Sequence, residues 1–293
     1  MDYQAYSGMY DAEYADYTDD IHFYIKWARR CPPPALELGC GTGRILLPMA
    51  HSGCQVTGLD NCQAMLELAR RKLLQAPRDV AARVDLVQAD MREFQLDREF
   101  GLIYLPFREF MHLDSEQDQL ACLDSIHRHL SLDGRLIVNL YNMDLVALAN
   151  QSTSDVPLHR QRGGDYTDPE TGHRVYLSSA SLYQVENQTL KEERFYDRVD
   201  SNGVVVERRM VLLKQRWFFR WEMHHLLHRA NFRVEALYGG YHGQSPGGLG
   251  SEMIWVARRA NERELNEELA WLSNQLARLQ EQQPPTPTRR RRR

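Results

Sequence analysis

The sequence lacks several features that would assign it directly to a class of protein. It has five cysteines, an odd count, and no two of them form a CxxC pair. This argues against a disulfide framework and against a cysteine zinc site, and it favours a reducing compartment. No apolar run approaches the roughly 20 residues of a membrane-spanning helix, and no basic and apolar secretory signal is visible. We therefore expect a cytoplasmic protein without a membrane partner.

Positive charge is scarce outside the C-terminus. The formal net charge is −4 over 293 residues, although the last five residues are all arginine. The rest of the chain is therefore more acidic still, so we expect no nucleic-acid partner. With 43% hydrophobic residues, the chain can bury a substantial core.

Short apolar segments alternate with amphipathic ones up to about residue 141. The apolar segments predict strands at Ala35–Leu38, Gln55–Leu59, Val84–Gln88, Gly101–Leu105 and Arg135–Leu140. The amphipathic segments predict helices at Gly43–His51, Gln63–Leu74 and Ser115–Leu130, and an earlier helix is expected to begin at a Thr18 cap. This alternation predicts an α/β fold, a parallel sheet covered by helices on both faces.

The alternation stops near residue 150, where a polar, turn-rich stretch extends to about residue 170. Three strand-like stretches follow, at His173–Val185, Leu190–Asp200 and Val204–Arg216, with an Asn-Gly turn between the last two. We interpret residues 151–216 as an antiparallel cap inserted into a domain of residues 1–259. A helix at about Phe219–Ala230 and strands at Phe232–Leu237 and Met253–Ala257 return to the α/β pattern.

The C-terminal part has a different period. Leucines in residues 260–283 are spaced alternately four and three residues apart, which predicts a coiled-coil-like helix. Such a helix, or the β insertion, could join copies into a homo-oligomer. Residues 284–293 combine prolines with the five arginines and predict a disordered basic tail.

A glycine-rich segment, Leu36-Glu37-Leu38-Gly39-Cys40-Gly41-Thr42-Gly43, lies between a predicted strand and a helix. Glycines let the backbone turn tightly and approach a ligand closely. Asp60 ends the next predicted strand, where a carboxylate can accept both hydroxyls of a ribose. Asp90 and Met91 end the third strand and offer an acceptor for an exocyclic amine and an apolar surface for an adenine ring.

Two kinds of adenosine-bearing ligand compete for such a pocket. A dinucleotide site normally has GxGxxG, whereas here the third glycine is one residue early. Glu37 stands directly before the loop, where its charge would repel a pyrophosphate but suit a cationic sulfonium-bearing amino acid. The charge of Glu37 therefore favours the sulfonium ligand.

Together these segments resemble class I S-adenosylmethionine-dependent methyltransferases, over about residues 10–145 and 217–258. The segment 105–113 is similar to bacterial small-molecule enzymes related to glycine/sarcosine and sugar N-methyltransferases. The resemblance implies a Rossmann-like seven-stranded sheet and methyl transfer to N or O of a small molecule. Where such enzymes often carry Asn-Ser-Phe, this chain has Phe107-Arg108-Glu109-Phe110, so the substrate's identity is not implied.

The resemblance also implies a site for S-adenosylmethionine. Glu37 would hold the amino-acid end of the cofactor, Asp60 the ribose, and Asp90 the adenine; Leu105 would lie near the reacting methyl group. The full cofactor-binding set is Glu37, Gly39, Gly41, Gly43, Asp60, Asn61, Met65, Asp90, Met91 and Leu105.

Two residues are candidates for a catalytic role. His112 could accept a proton from the nucleophile because an imidazole titrates near neutrality, or it could simply cap the following helix. Tyr14, with Tyr10 and Tyr17, could form a lid over the ligands, or these rings could only pack an N-terminal helix.

Three further residues are candidates for substrate binding. Arg108 could bind a carboxylate or phosphate, or form a surface ion pair. Tyr241 and His242 lie in a glycine-rich segment that could be a substrate loop or a mobile connection. His224 and His228 have the spacing of two metal ligands, but no clear third ligand follows, and we predict no metal site.

Two other functions remain open at this point. One is a nicotinamide-dependent oxidoreductase, which the glycine spacing and Glu37 disfavour. The other is a non-catalytic protein that binds S-adenosylmethionine and assembles through the leucine-rich helix.

Overall fold

The computed structural model describes residues 3–151, 158–162, 164–248 and 250–281. The helices are α1 (Tyr3–Glu13), α2 (Ile21–Ala28), α3 (Leu46–His51), α4 (Gln63–Gln75), α5 (Arg78–Ala81), α6 (Glu116–His129), α7 (Leu145–Gln151), α8 (Arg220–Arg229) and α9 (Glu262–Glu281), with a 3-10 turn at Glu109–His112. The strands are β1 (Ala35–Leu38), β2 (Val56–Asp60), β3 (Val84–Gln88), β4 (Phe100–Leu105), β5 (Leu130–Tyr141), β6 (Leu158–Gln161), β7 (Tyr166–Thr167), β8 (Arg174–Gln184), β9 (Thr189–Val199), β10 (Val205–Arg216), β11 (Phe232–Tyr238) and β12 (Glu252–Arg259).

Within the described residues, seven strands form a central sheet in the order β11-β12-β5-β4-β1-β2-β3. The strands β1 to β5 pair in parallel, and β12 runs antiparallel to both of its neighbours. The carboxyl ends of parallel strands meet at one edge of a sheet, where open α/β sheets bind ligands. The predicted α/β fold class is confirmed, and this edge is the expected place for a site.

The two faces of the sheet carry separate cores. Leu36 and Leu38 of β1 pack with apolar residues of α6 and α8, whereas Ala35 packs on the other face with residues of α2 and α3. Every residue of β1 is buried. A strand buried on both faces is expected to be largely apolar, and β1 is apolar except for Glu37, which explains why it could be recognised in the sequence.

Two predicted helix starts are wrong. The helix expected from Gly43 begins at Leu46, because Gly43 has a φ of +83° and cannot join a right-handed helix. The helix expected to be capped by Thr18 begins at Ile21 after Asp20, whose side chain forms no cap hydrogen bond. The Asp20 carboxylate instead accepts two hydrogen bonds from the Arg44 guanidinium, at 2.8 and 2.6 Å.

The inserted cap is an antiparallel sheet in the order β10-β9-β8-β6, with β7 paired to β8. Its three long strands lie where the sequence predicts them. At the Asn-Gly turn, Gly203 has a φ of +80°, and the Asp200 carboxylate accepts the backbone N–H groups of Asn202 and Val204. The polar, turn-rich stretch 151–170 also contains β6 and β7, which form there because β8 offers them a pairing edge. Residues 152–157 and 163 lie outside the described residues.

The leucine-rich segment forms the helix α9, which is joined to the sheet by two ion pairs, Arg258–Glu264 at 2.7 Å and Arg233–Glu268 at 2.8 Å. Leu269 is 61% exposed. The side chains of Leu272, Leu276 and Leu279, and the predicted tail 284–293, lie outside the described residues. The oligomeric role of this helix stays a prediction.

The described part of the chain also bears on membrane spans, metal sites and disulfides. No helix there is long and apolar enough to cross a membrane. The same residues hold no group of three or more His, Cys, Asp or Glu side chains suited to a metal ion. All five cysteines are free thiols.

Gly101→Ala is expected to destabilise the protein by about 1–3 kcal/mol, because its Cβ would overlap the carbonyl oxygen of Pro32 and the backbone would have to shift. Chemical denaturation followed by circular dichroism measures this loss. Gly8→Ala is the control, since its Cβ would meet no atom within 4 Å on an exposed part of α1 and alanine favours helix. Equal stability of Gly101→Ala and the parent would contradict the close approach.

Candidate active site

Asp60 joins the loop after β1 to the loop after β2. Its carboxylate accepts the backbone N–H of Gly41 at 2.7 Å and that of Cys62 at 2.8 Å. Gly39 and Gly41 have φ values of +72° and +53°, a left-handed conformation that favours glycine. Burial raises the pKa of Asp60, while the backbone donors act to lower it. The carboxylate therefore fixes the shape of the glycine loop.

A cavity of about 470 Å³ lies against this loop, and we call it the first cavity. It is lined by Tyr10, Gly39, Gly41, Leu59, Asp60, Asn61, Met65, Ala89, Met91 and Glu109. A Cβ added to Gly41 would meet no protein atom within 4 Å, so the backbone there borders open space. Apolar walls around a few convergent polar groups are typical of a small-ligand site. The donor set fits an adenosine, with thioether and leucine walls for its ring and a carboxylate for its ribose hydroxyls.

Six of the ten predicted cofactor residues line the first cavity: Gly39, Gly41, Asp60, Asn61, Met65 and Met91. The other four lie elsewhere. Gly43 faces Leu47 and Ala69 of the neighbouring helices, and Leu105 is fully buried in the core. The Asp90 carboxylate binds the Arg92 guanidinium at 2.7 Å.

The fourth residue, Glu37, is buried directly behind the loop. Its carboxylate accepts a hydrogen bond from the Tyr104 hydroxyl at 2.8 Å. Burial raises the pKa of Glu37 to about 8, although the Tyr104 hydrogen bond acts to lower it. The roles that the sequence assigns to Glu37, Gly43, Asp90 and Leu105 stay predictions.

Glu37→Gln is expected to flatten the fall of unfolding free energy as pH rises between about 4.5 and 8 in the cofactor-free protein. In that range the unfolded carboxyl is ionised whereas the folded one is protonated, so rising pH favours unfolding of the parent. Glutamine keeps an acceptor for Tyr104 and does not titrate. Urea denaturation at several pH values measures the difference between the two proteins; a constant difference across this range would contradict the raised pKa.

The chain takes a strained path after β4. Phe107 and Arg108 have φ values of +51° and +72°, which cost non-glycine residues about 1–3 kcal/mol each. An ion pair of Arg108 with Glu252 at 2.7 Å holds this turn, and the Arg108 guanidinium lies 5.1 Å from the ring centroid of Tyr141. The turn directs Glu109 back over the glycine loop: a Cβ added to Gly39 would come within 2.7 Å of the Glu109 carboxyl group.

A second cavity, of about 850 Å³, lies beneath the cap. It is lined by Tyr6, Tyr10, Tyr14, Tyr17, Phe107, Arg108, Glu109, His112, Arg162, Arg194, Leu213, Gln215 and Glu252. Tyr10 and Glu109 line both cavities. The two cavities therefore adjoin, and Tyr10 and Glu109 stand at their junction.

Tyrosines of the N-terminal region form one wall of the second cavity. Tyr14 lies 4.8 Å from Phe107 between ring centroids, and Tyr10 lies 5.1 Å from Tyr14. Tyr14 therefore lies beside the junction, as a lid would require. Its contact with Tyr10 also packs it against α1. The catalytic role of Tyr14 stays a prediction.

The helix α1 is fixed at two places. Asp11 accepts hydrogen bonds from Thr42 of the glycine loop at 2.6 Å and from Lys72 at 2.7 Å. Glu13 accepts one from Tyr196 of the cap at 2.8 Å and pairs with Arg162 at 3.2 Å. These contacts connect the glycine loop to the cap through the helix α1.

His112 lines the second cavity, with its Nδ1 atom 3.3 Å from the carbonyl oxygen of Lys214. Burial lowers the pKa of His112 to about 4. The ring is neutral at physiological pH and holds a proton poorly there, which weakens the predicted catalytic role.

The predicted substrate residues are divided between two places. Arg108 lines the second cavity, in an ion pair with Glu252. Tyr241 and His242 line a different cavity of about 780 Å³, together with α2 residues such as Phe23 and Trp27. Tyr241 packs 5.8 Å from Phe23, so it is not part of the second cavity.

Three residues that line the second cavity were not predicted from the sequence: Glu109, Arg162 and Arg194. A fourth, Arg44, lies behind that cavity, with its guanidinium over the rings of Tyr17 and Phe107. Arg44 follows the glycine motif directly, which is a usable signal, and it pairs with the buried Asp20. No local signal marks the other three, because folding of the cap and the strained turn brings them together.

A glycine loop after β1, an acidic residue at the end of β2 and this strand order are typical of the class I methyltransferase architecture that the sequence resembles. Residues 35–134 match the family described as "Methyltransferase domain". This part of the chain is therefore similar to a methyltransferase domain.

Known proteins that the chain resembles include an N,N-dimethyltransferase for dTDP-3-amino-3,6-dideoxy-alpha-D-glucopyranose from Streptomyces fradiae, 30% identical over 46% of this chain and 51% of the relative. Another is the Cypemycin N-terminal methyltransferase of a Streptomyces species, 26% identical over 53% of this chain and 60% of the relative. The chain thus spans about half to three fifths of these curated relatives. The solved CcbJ methyltransferase from Streptomyces caelestis shares the fold, with a TM-score of 0.68 at 20% identity over 85% of this chain and 95% of that one.

Proposed function

We propose that the protein transfers a methyl group from S-adenosylmethionine to a nitrogen or oxygen of a small molecule. The observation that carries this proposal is the pair of adjoining cavities, which share Tyr10 and Glu109. The first fits an adenosine, and the second is large enough for a small acceptor. When bound, S-adenosylmethionine supplies a methyl group that its sulfonium already activates for attack by a nucleophile, with S-adenosylhomocysteine as the leaving group.

The residues of this chain then act chiefly by positioning. The glycine loop and Asp60 would hold the nucleoside, and the cap with the α1 tyrosines would enclose the acceptor and exclude water. Correct placement of two reactants contributes up to roughly 7–11 kcal/mol to lowering a barrier. The relative named as an N,N-dimethyltransferase of a dTDP-linked amino sugar supports a small acceptor.

The two other functions have less support. The carboxyl group of Glu109 lies over Gly39 of the glycine loop, where it would crowd the pyrophosphate of a nicotinamide dinucleotide. A purely binding protein does not require a second cavity that opens beside the first. A cytoplasmic location and a homo-oligomer remain predictions from the sequence.

The test is incubation of the purified protein with methyl-labelled S-adenosylmethionine and a panel of small amines and alcohols. We expect label to pass to at least one small molecule and S-adenosylhomocysteine to form in equal amount. Transfer to no panel member by a folded protein would count against the proposal.

A further inference from the structure

Glu109 stands where the two cavities join, and its neighbours among the described residues are mainly acidic. The other carboxylate that lines the second cavity, Glu252, is neutralised by Arg108 at 2.7 Å and also accepts a hydrogen bond from Asn139 at 2.8 Å. Among the described residues, none forms an ion pair with Glu109.

The cationic side chains of the second cavity are already paired. Arg162 pairs with Glu13 at 3.2 Å, and Arg194 pairs with Glu192 at 2.7 Å. With Arg108 paired to Glu252, each of the three arginines has its own carboxylate. Glu109 is thus the carboxyl group that an incoming cation would meet at the junction.

The groups facing Glu109 from neighbouring elements are acidic or weakly acidic. They are Tyr10 of α1, Glu37 of β1, Cys40 of the glycine loop and Asp60 after β2. Burial, and then the charges of Asp60 and Glu37, raise the pKa of Glu109 well above its usual range. In the empty site this favours the protonated carboxyl; an ammonium ion that binds beside it favours the carboxylate, which is then a stronger base than an exposed one.

We propose that Glu109 receives the methyl acceptor as an ammonium ion and takes a proton from it, so that the acceptor is a small cationic amine. This inference rests on the proposed methyl transfer and names its acceptor class. It is carried by the position of Glu109 in both cavities and by the pairing of every arginine around it.

The proton balance of the step is simple. The N–H bond of the ammonium breaks, its electron pair stays on nitrogen, and an O–H bond forms on the Glu109 carboxylate. The neutral amine can then form the new N–C bond as the C–S bond breaks with its electron pair on sulfur. The methylated ammonium leaves, and Glu109 returns its proton to water.

The experiment compares the parent with Glu109→Gln, Glu109→Asp and a control, Glu99→Gln. Glu99 is exposed and precedes β4, whereas Glu109 follows the same strand. The probes are glucosamine with glucose, n-butylamine with n-butanol, and phenethylamine with phenethyl alcohol. Circular dichroism checks folding, and calorimetry gives the affinity of each protein for S-adenosylmethionine separately from turnover.

We expect transfer to amine probes only. At pH 7 Glu109→Gln should lower kcat/KM for the amine about 10²-fold, Glu109→Asp should restore part of it, and Glu99→Gln should match the parent. The gap between Glu109→Gln and the parent should narrow as pH approaches the amine's own pKa, because the amine then arrives neutral. A merely structural role would leave that gap constant.

The outcomes separate this inference from the proposed function. A parent that fails to bind S-adenosylmethionine, or that methylates no probe, would overturn both. Transfer to alcohols only, an unchanged amine reaction in Glu109→Gln, or a loss of S-adenosylmethionine affinity in that variant with an unchanged KM for the amine would overturn this inference alone. In the last case Glu109 would hold the cofactor rather than the acceptor.

Discussion

Gly41→Val is expected to abolish measurable binding of S-adenosylmethionine. Gly41 borders the first cavity, and nothing in the protein lies within 4 Å of an added Cβ, so a valine side chain would occupy space left for a ligand. The substitution would also strain the loop, since a β-branched residue rarely adopts a φ of +53°. Isothermal titration calorimetry on the folded variant measures the loss.

Gly203→Val is the matched control for this prediction. Gly203 has a φ of +80° and equally open surroundings, but it lies at the hairpin turn of the cap. We expect Gly203→Val to lower stability and to keep the parent's cofactor affinity. If both variants bind S-adenosylmethionine as the parent does, the glycine loop is not part of the cofactor site.

Asp60→Ala is expected to raise the Kd for S-adenosylmethionine roughly ten- to hundred-fold. A hydrogen bond to a charged acceptor contributes about 1.5–3 kcal/mol, and each 1.4 kcal/mol is a factor of ten in affinity. The variant would also free the N–H of Gly41, which the carboxylate binds at 2.7 Å, and so loosen the loop. Calorimetry again gives the change.

Asp85→Ala provides the comparison for Asp60→Ala. Asp85 lies on the adjacent strand β3, where it pairs with Arg98 at 3.1 Å and has a side chain 57% exposed. Its removal should leave the Kd unchanged. An Asp60→Ala protein that binds as tightly as Asp85→Ala would show that the carboxylate does not contact the nucleoside.

The sheet could be predicted because its signals are local. In β1 and β4 every residue is buried, so both are short and largely apolar segments, interrupted in β1 only by Glu37. The cap strands β8 and β9 follow polar and apolar alternation and a strong turn signal. The weaker strands β6 and β7 could not be predicted, since pairing with β8 rather than their own composition holds them.

The glycine loop was predictable, whereas the lining of the second cavity was not. Gly39, Gly41 and Asp60 follow a motif with fixed spacing, and the structure brings them to one cavity. The importance of Glu109 depends on two left-handed residues before it, and no sequence pattern marks that backbone. Tyr241 lies in a glycine-rich segment and was predicted to bind substrate, but it packs against α2 and lines another cavity, so that role stays a prediction.

Calorimetric titration of the parent protein with S-adenosylmethionine, S-adenosylhomocysteine and NAD tests the central claim most directly. We expect S-adenosylmethionine and S-adenosylhomocysteine to bind at one site per chain and to compete with each other. We expect no binding of NAD. Binding of NAD with no response to S-adenosylmethionine would contradict it, because the glycine loop and Asp60 would then hold a dinucleotide.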